Sequence, residues 1–566
     1  MVTVLMPISF RRVRRLGAPT LLVLVASCSH AARSTPARPV ECHELRGGVI
    51  PAAAIGLPTR GAAVTSADVV PPSGSGATAI GEWCRVTVAV RPVDPAAPAI
   101  ELRVNLPARW NGKALMVGGG GYDGVWTNNG DGGRGNYFNG PTDRPVPLGQ
   151  GYATFASDSG HAAGDLKSAD GSFARNDEAL GNYLGDALKK ARDVAVKVIA
   201  MRYGRPPART YFVGASTGGR EALVAVTRWP EDFDGAISQY PAWNAGSHDL
   251  QLGRITRALR APGAYPDGET KLLWMTAVLK ACDGLDGLED GIVSDVAGCR
   301  FDPRAVACAD GSAAKGCATA AHVAALSVMN TPMSIAYETG SGERGYPGIN
   351  VFSGADLTGA LDLNEVQPSD DLMRRGPADA RYGRMPYGSV FWDQWVKHFV
   401  TRDPQFDSLE LDPEHPGVHE GRVRELLGRQ DVNSTALGPF ARRGGKLILM
   451  HGLADGLVSW EATAEYHRRL VAALGADEVR SFVRFFTIPG LGHVLASPAA
   501  RRAAATVSWD PLGALEAWVE RDRPPAGLVV SHADVGMRPV CEYPRWPRYR
   551  PPGDPRSAAS FECFAR

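Results

Sequence analysis

The chain has 566 residues, 44% hydrophobic and 21% charged, with Lys+Arg 61 against Asp+Glu 60 and a formal net charge of +1. This composition excludes a disordered or collagen-like chain and leaves material for a large core. It also lacks the basic surplus that a nucleic-acid binder needs, so no nucleic-acid partner is expected. The length suits one large domain or about two to three smaller ones.

The amino end reads as an export signal over 1–28. Arg11, Arg12, Arg14 and Arg15 precede an apolar run over 16–26 that is too short to span a bilayer. Two endings fit. Val25-Ala26-Ser27-Cys28 resembles a bacterial lipobox, which would make Cys28 a lipidated residue and a membrane anchor, whereas Ser29-His30-Ala31 resembles an ordinary small-x-small cleavage site. Loss of the four arginines takes the net charge from +1 to −3. No later stretch has the length of apolar sequence that a membrane span requires. The expected location is the periplasm or outer membrane for a lipoprotein, or the exterior for a secreted protein.

Besides Cys28 there are eight cysteines, an even number suited to an oxidising compartment. Proximity in sequence favours Cys42–Cys84, Cys282–Cys299, Cys308–Cys317 and Cys541–Cys563. No CxxC pair suggests zinc instead.

In chain order, residues 83–91 and 100–106 alternate in polarity and read as strands. A short buried-strand run at 115–117 ends in the glycines 118–121, and 152–156 is another such run. Residues 186–203 form an amphipathic helical pattern. A strand at 211–213, a sharp glycine turn and a helical stretch at 220–229 follow. Over 241–440 strand signals thin out and four cysteines cluster among loops rich in Gly, Pro and Asp. Buried-strand signals return at 446–450 and 482–489, ahead of helical periodicity over 512–521. Strands alternating with helices imply an α/β core, a mostly parallel sheet with helices on both faces. The expectation is a core split into 42–240 and 441–566, with a lid domain at 241–440.

The sharpest motif is Gly214-Ala215-Ser216-Thr217-Gly218, a G-x-S-x-G between a strand and a helix. That context makes a nucleophile elbow of an α/β-hydrolase core, with Ser216 presented at a helix amino end where backbone N–H groups stabilise an oxyanion. A serine hydroxyl needs a base and an orienting carboxylate, which this fold places later in the chain in the order acid, then His. Asp455, just beyond the strand 446–450, and His493, just beyond 485–489, occupy those places. Among twelve histidines, His451 reads as a local hydrogen-bond partner, and His398 and His467 fall in helical patterns. The oxyanion donors are expected to be Thr217 N–H and an amide of Gly121 or Gly124 in the run 118–124.

A second cluster, Cys282-Asp283-Gly284-Leu285-Asp286-Gly287-Leu288-Glu289-Asp290-Gly291-Ile292, offers hard oxygen ligands on a curled loop and suits a structural Ca²⁺. Carboxylates of Asp283, Asp286 and Asp290 would ligate, with carbonyls of Leu288 and Ile292. The spacing is not that of an EF-hand. In the lid, Phe391, Trp392 and Trp395 are either aromatic substrate contacts or, on the favoured reading, the packing of one helix.

Together these segments resemble the tannase and feruloyl esterase family. The matching pieces are Trp110-Asn111-Gly112-Lys113, Ser216-Thr217-Gly218-Gly219-Arg220, Pro230-Glu231-Asp232-Phe233-Asp234-Gly235, Pro241-Ala242-Trp243-Asn244, Cys299-Arg300-Phe301-Asp302-Pro303, the stretch 444–448, and the segments around Asp455 and His493. The resemblance implies a lid carrying calcium and the hydrolysis of esters of aromatic acids of hydroxycinnamic, gallic or terephthalic type, so the expected partner is a small aromatic ester. It also implies a departure. The family typically joins a Cys before the nucleophile to one after the histidine, and here those places hold Ala215 and Val494; an apolar contact is expected to replace the bridge. The alternatives are a serine peptidase of the same fold and a non-catalytic, exported aromatic-binding lipoprotein.

Overall fold

The computed structural model describes residues 39–126, 140–141, 143–309, 316–358, 363, 365–493, 508–532 and 535–565. The readings for the signal segment, Cys28 and the contact of Ala215 with Val494 lie outside these residues or depend on one that does.

Strands β1 (Val49–Ile50), β2 (Ala62–Val70), β3 (Trp83–Val90), β4 (Ile100–Pro107), β5 (Lys113–Val117), β6 (Ala153–Ser157), β7 (Arg209–Ala215), β8 (Gly235–Gln239), β9 (Lys446–Gly452), β10 (Val483–Ile488) and β11 (Cys541–Glu542) form one eleven-stranded sheet. Their spatial order is β1-β2-β3-β4-β6-β5-β7-β8-β9-β10-β11. The run from β1 to β6 pairs antiparallel, the run from β6 through β5 to β10 pairs parallel, and β11 closes the edge antiparallel.

The helices that position the site are α1 (Ala187–Tyr203), α2 (Thr217–Arg228), α3 (Ala245–Leu259), α4 (Gly268–Cys282), α5 (Tyr387–Gln394), α6 (Glu420–Gln430), α7 (Trp460–Leu474) and α8 (Pro511–Arg521). Successive residues of a strand point to opposite faces, and here both faces are covered, so the central strands are buried on both sides and largely apolar. Met116, Phe212, Leu447 and Leu449 belong to the core packed with α1, α2 and α7, while Leu115, Val213, Ile448 and Met450 pack with α8. This is the α/β-hydrolase architecture.

Between the neighbouring strands β8 and β9 the chain leaves the sheet for about two hundred residues and builds a core of its own around Trp274, Leu326, Met329 and Leu357. Helix α5 crosses α3 closely because Gly253 has no Cβ, which would sit 2.7 Å from the Trp392 ring. The disulfides are Cys42–Cys84, Cys282–Cys299, Cys308–Cys317 and Cys541–Cys563, the four pairs that sequence proximity favours. Among the described residues no helix is long and apolar enough to cross a membrane.

Candidate active site

β7 ends at Ala215 and α2 begins at Thr217, which leaves Ser216 alone in the turn at φ 60°, ψ −121°. That left-handed backbone is costly for a residue with a Cβ and persists only where the surroundings hold it. Its N–H donates to the Gln239 carbonyl at 3.0 Å, and its own carbonyl accepts from Arg220 and Ala242 at 3.0 and 3.2 Å. The flanking residues must be glycine. A Cβ at Gly214 would strike the Gly218 carbonyl, and one at Gly218 would sit 2.7 Å from that of Gly119.

The turn meets two loops that leave the carboxyl ends of β9 and β10. His493 Nε2 lies 3.0 Å from Ser216 Oγ, and His493 Nδ1 lies 2.7 Å from Asp455 Oδ2. A carboxylate only accepts, so Nδ1 carries the hydrogen and Nε2 faces the serine hydroxyl as an acceptor. The backbone N–H groups of Leu457 and Val458 both reach Asp455 Oδ1 at 2.9 Å. Burial alone would raise the Asp455 carboxyl, but the electrostatic pull of the His493 ring and hydrogen bonds from His451 and His493 hold it well below the usual range. His451 is wedged between Thr463 Oγ1 at 2.8 Å and the Val458 carbonyl at 3.1 Å, a local hydrogen-bonding role. His467 packs beside the Phe485 ring at 5.6 Å.

In the glycine loop after β5, most amides are already engaged. Gly119 donates to Glu221 Oε2 at 2.8 Å, Tyr122 to the Ser168 carbonyl at 2.7 Å and Asp123 to that of Gly120 at 2.9 Å. Gly124 donates to the Asp158 carbonyl at 3.1 Å, so the expectation of Gly124 as an oxyanion donor fails: its N–H is spent within the fold. Gly120 and Gly121 remain, both lining the pocket at Ser216. Thr217 Oγ1 donates to the Gly121 carbonyl at 2.7 Å and clamps the loop to the head of α2. Beneath it, Asp123 and Glu221 are buried side by side. Burial pushes both carboxyls up, and repulsion from Asp123 adds to the rise at Glu221.

Ser216 and His493 open onto a pocket of about 230 Å³. Its far wall comes from the segment between β8 and β9. Helix α3 contributes Ala245, His248, Asp249 and Leu252, and α5 contributes Tyr387 and Phe391. The spacings i, i+3, i+4, i+7 and i, i+4 put each set on one helix face. The sequence reading named Phe391, favouring packing for it, and did not reach α3, whose signal is that stripe of four. Phe391 stacks on Tyr122 with centroids 3.6 Å apart, whereas Trp392 and Trp395 are packing residues stacked on each other at 5.6 Å. His248 bonds the Leu457 carbonyl at 2.9 Å, and burial lowers its pKa to about 4, leaving it neutral.

At the expected calcium loop, Asp283 accepts from the N–H groups of Asp290, Gly291 and Ile292 at 3.2, 2.8 and 3.3 Å. Asp286 accepts from Leu288 at 3.0 Å, and Asp290 pairs with the Arg538 guanidinium. Three carboxylates on one curled loop are the right donors for a hard cation. Among the described residues, however, no group of three or more His, Cys, Asp and Glu side chains is set to hold a metal ion.

The profile of the tannase and feruloyl esterase family matches residues 84–564. The chain belongs to that family. It is 38% identical to an uncharacterized esterase of Agrobacterium fabrum, covering 92% of either chain. It is 29% identical to the mono(2-hydroxyethyl) terephthalate hydrolase of Piscinibacter sakaiensis, covering 87% of each. The crystal structure of feruloyl esterase B from Aspergillus oryzae superposes with a TM-score of 0.71 at 21% identity, over 93% of this chain and all of that one, which shows a shared fold. As a tannase and feruloyl esterase family member, the protein is a carboxylic ester hydrolase.

Proposed function

We propose that the protein is an exported serine esterase that cleaves esters of aromatic acids through an acyl-enzyme. The observation that carries this is the hydrogen-bonded run Ser216–His493–Asp455 at the mouth of a largely apolar pocket the size of one substituted ring. His493 Nε2 takes the Ser216 proton as Oγ attacks the ester carbonyl. The tetrahedral oxyanion rests on Thr217 N–H and an amide of Gly120 or Gly121. His493 then protonates the leaving alcohol, and water releases the acid by the reverse sequence. Asp455 fixes the imidazole tautomer throughout. The segment 241–440 acts as a lid that supplies the acyl wall. Export is supported by four disulfides, and Cys28 is the proposed lipid anchor.

The purified mature protein and its Ser216→Ala variant decide the reading. Serine-dependent turnover of methyl ferulate, methyl gallate or mono(2-hydroxyethyl) terephthalate, with fluorophosphonate labelling lost in the variant, is the expected result. A folded protein that is neither labelled nor active would be a binding module.

Calcium belongs to the same proposal as a structural ion, held by Asp283, Asp286 and Asp290 with the Leu288 and Ile292 carbonyls. Its entry requires Asp290 to leave Arg538. Thermal unfolding with calcium and with chelator tests it: stabilisation by calcium supports the ion, and identical curves leave Arg538 as the standing partner of Asp290.

A further inference from the structure

Asp249 is a buried carboxylic acid in the wall of the pocket, 1% exposed, and the groups around it are arranged to hold it there. Trp395 Nε1 can only donate, and it gives its hydrogen to Gln430 Oε1 at 2.9 Å. That fixes the Gln430 amide, whose Nε2 then donates to Asp249 Oδ2 at 3.2 Å. The main chain of Gln430 is itself pinned, since its carbonyl accepts from Arg220 Nε at 2.9 Å. Oδ2 is therefore satisfied from behind. Oδ1 is buried and has no hydrogen-bond partner among the described residues.

A buried polar atom without a partner is costly, and one placed in a substrate pocket is a site waiting for a complementary group. We infer that Asp249 Oδ1 hydrogen-bonds a ring hydroxyl of the acyl group, which makes Asp249 the residue that selects hydroxylated aromatic acids over unsubstituted and carboxylated ones. The inference rests on the aromatic-ester reading above.

Three observations support it. The pocket is small: an engineered cavity of about 150 Å³ binds benzene, so about 230 Å³ takes one ring with a short arm reaching Ser216. Burial, first of all, pushes the Asp249 carboxyl well above its ordinary range, toward the protonated form that both donates and accepts. A phenol hydroxyl has the same dual capacity. Finally, no Lys or Arg lines the pocket among the described residues, and His248 is neutral. A ring carboxylate of terephthalate type would meet no cation in the pocket lining, which is unfavourable.

The test compares kcat/KM for methyl 4-hydroxycinnamate, methyl cinnamate and mono(2-hydroxyethyl) terephthalate. The wild-type protein is expected to prefer the hydroxylated ester over the unsubstituted one by about tenfold or more, with the carboxylated ester poorest. Asp249→Ala is expected to lower turnover of the hydroxylated ester about tenfold more than that of the unsubstituted one. Asp249→Asn, which keeps a donor and an acceptor, should restore much of the preference. A wild-type protein that cleaves aromatic esters without regard to the hydroxyl overturns the inference, as does an equal loss on both esters in Asp249→Ala, the signature of a merely structural role. Should Asp249→Ala not fold, the wild-type ratio and Asp249→Asn decide. Absence of Ser216-dependent turnover of any aromatic ester would instead overturn the aromatic-ester reading itself, and this inference with it.

Discussion

Ser216→Ala removes the hydroxyl that faces His493 Nε2 at the end of α2 and leaves the turn's backbone bonds in place, so kcat should fall by about 10³-fold or more with unfolding unchanged. Asp455→Asn keeps the shape of the loop but can turn the imidazole into the wrong tautomer, and a loss of about 10³–10⁴ in kcat is expected. Glu221 acts one step further out as a positioning residue: it holds the Gly119 N–H and so sets the loop that carries Gly120 and Gly121. Glu221→Ala should lower kcat by about tenfold or more with little change in KM, because an oxyanion donor acts chiefly in the transition state. Glu221→Gln can still accept from Gly119 and donate to Asp123, so steady-state kinetics should show rescue; equal losses in both variants would refute the positioning role. That Ser216, His493 and Asp455 come together was legible in the sequence because each sits at a strand end with its own glycine signature. The engagement of the Gly124 amide was not, because its partner, the Asp158 carbonyl, lies 34 residues further along the chain.

Elements differ in how openly the sequence announces them. β3, β4, β5, β7 and β9 carry clean alternation or unbroken apolar runs and fall where periodicity puts them. β2 does not announce itself, because its register shifts between Val64 and Ser66 and the period of two slips with it. β8 is only Gly-Ala-Ile-Ser-Gln, and its residues are fixed by neighbours on both sides rather than by propensity. In the inserted segment, α3 mixes polar and apolar residues because His248 and Asp249 face the pocket, Gly253 admits the Trp392 ring, and Arg254 and Arg257 reach main-chain carbonyls. At this scale the disulfide Cys282–Cys299 makes a testable contribution. It closes a loop with a sequence separation of 17 around the acidic turn, for which the chain-entropy estimate is about 3 kcal/mol. Replacing both cysteines by alanine should lower the unfolding temperature, and a reductant should then have less effect than it has on the wild-type protein.

The molecule as a whole should lose stability as pH rises past neutrality. Burial raises the Asp431 carboxyl to about 7 and that of Asp158 to about 8. In each case the folded state keeps a proton that the unfolded chain has already released, so the stabilisation is complete below an ordinary carboxyl pKa of about 4 and is lost as pH rises through the folded values. The buried histidines His161, His248, His398 and His532 are lowered to about 4, chiefly by burial. Their effect has the opposite sign and is confined below about pH 6.5. Between about pH 6.5 and 8.5 the carboxyls set the slope. The unfolding temperature should fall across that window, less steeply in Asp431→Asn; a flat or rising curve would refute it. The placement of the inserted segment has a last consequence. It departs after β8 and returns at β9, adjacent strands whose ends are joined by the Tyr240 N–H on the Met450 carbonyl at 2.6 Å. Ser216, His493 and Asp455 belong to one part of the chain and Asp249, Tyr387 and Phe391 to the other, so a descendant lineage can rewrite much of the pocket wall in a single contiguous cassette while the hydrogen-bonded run is inherited intact.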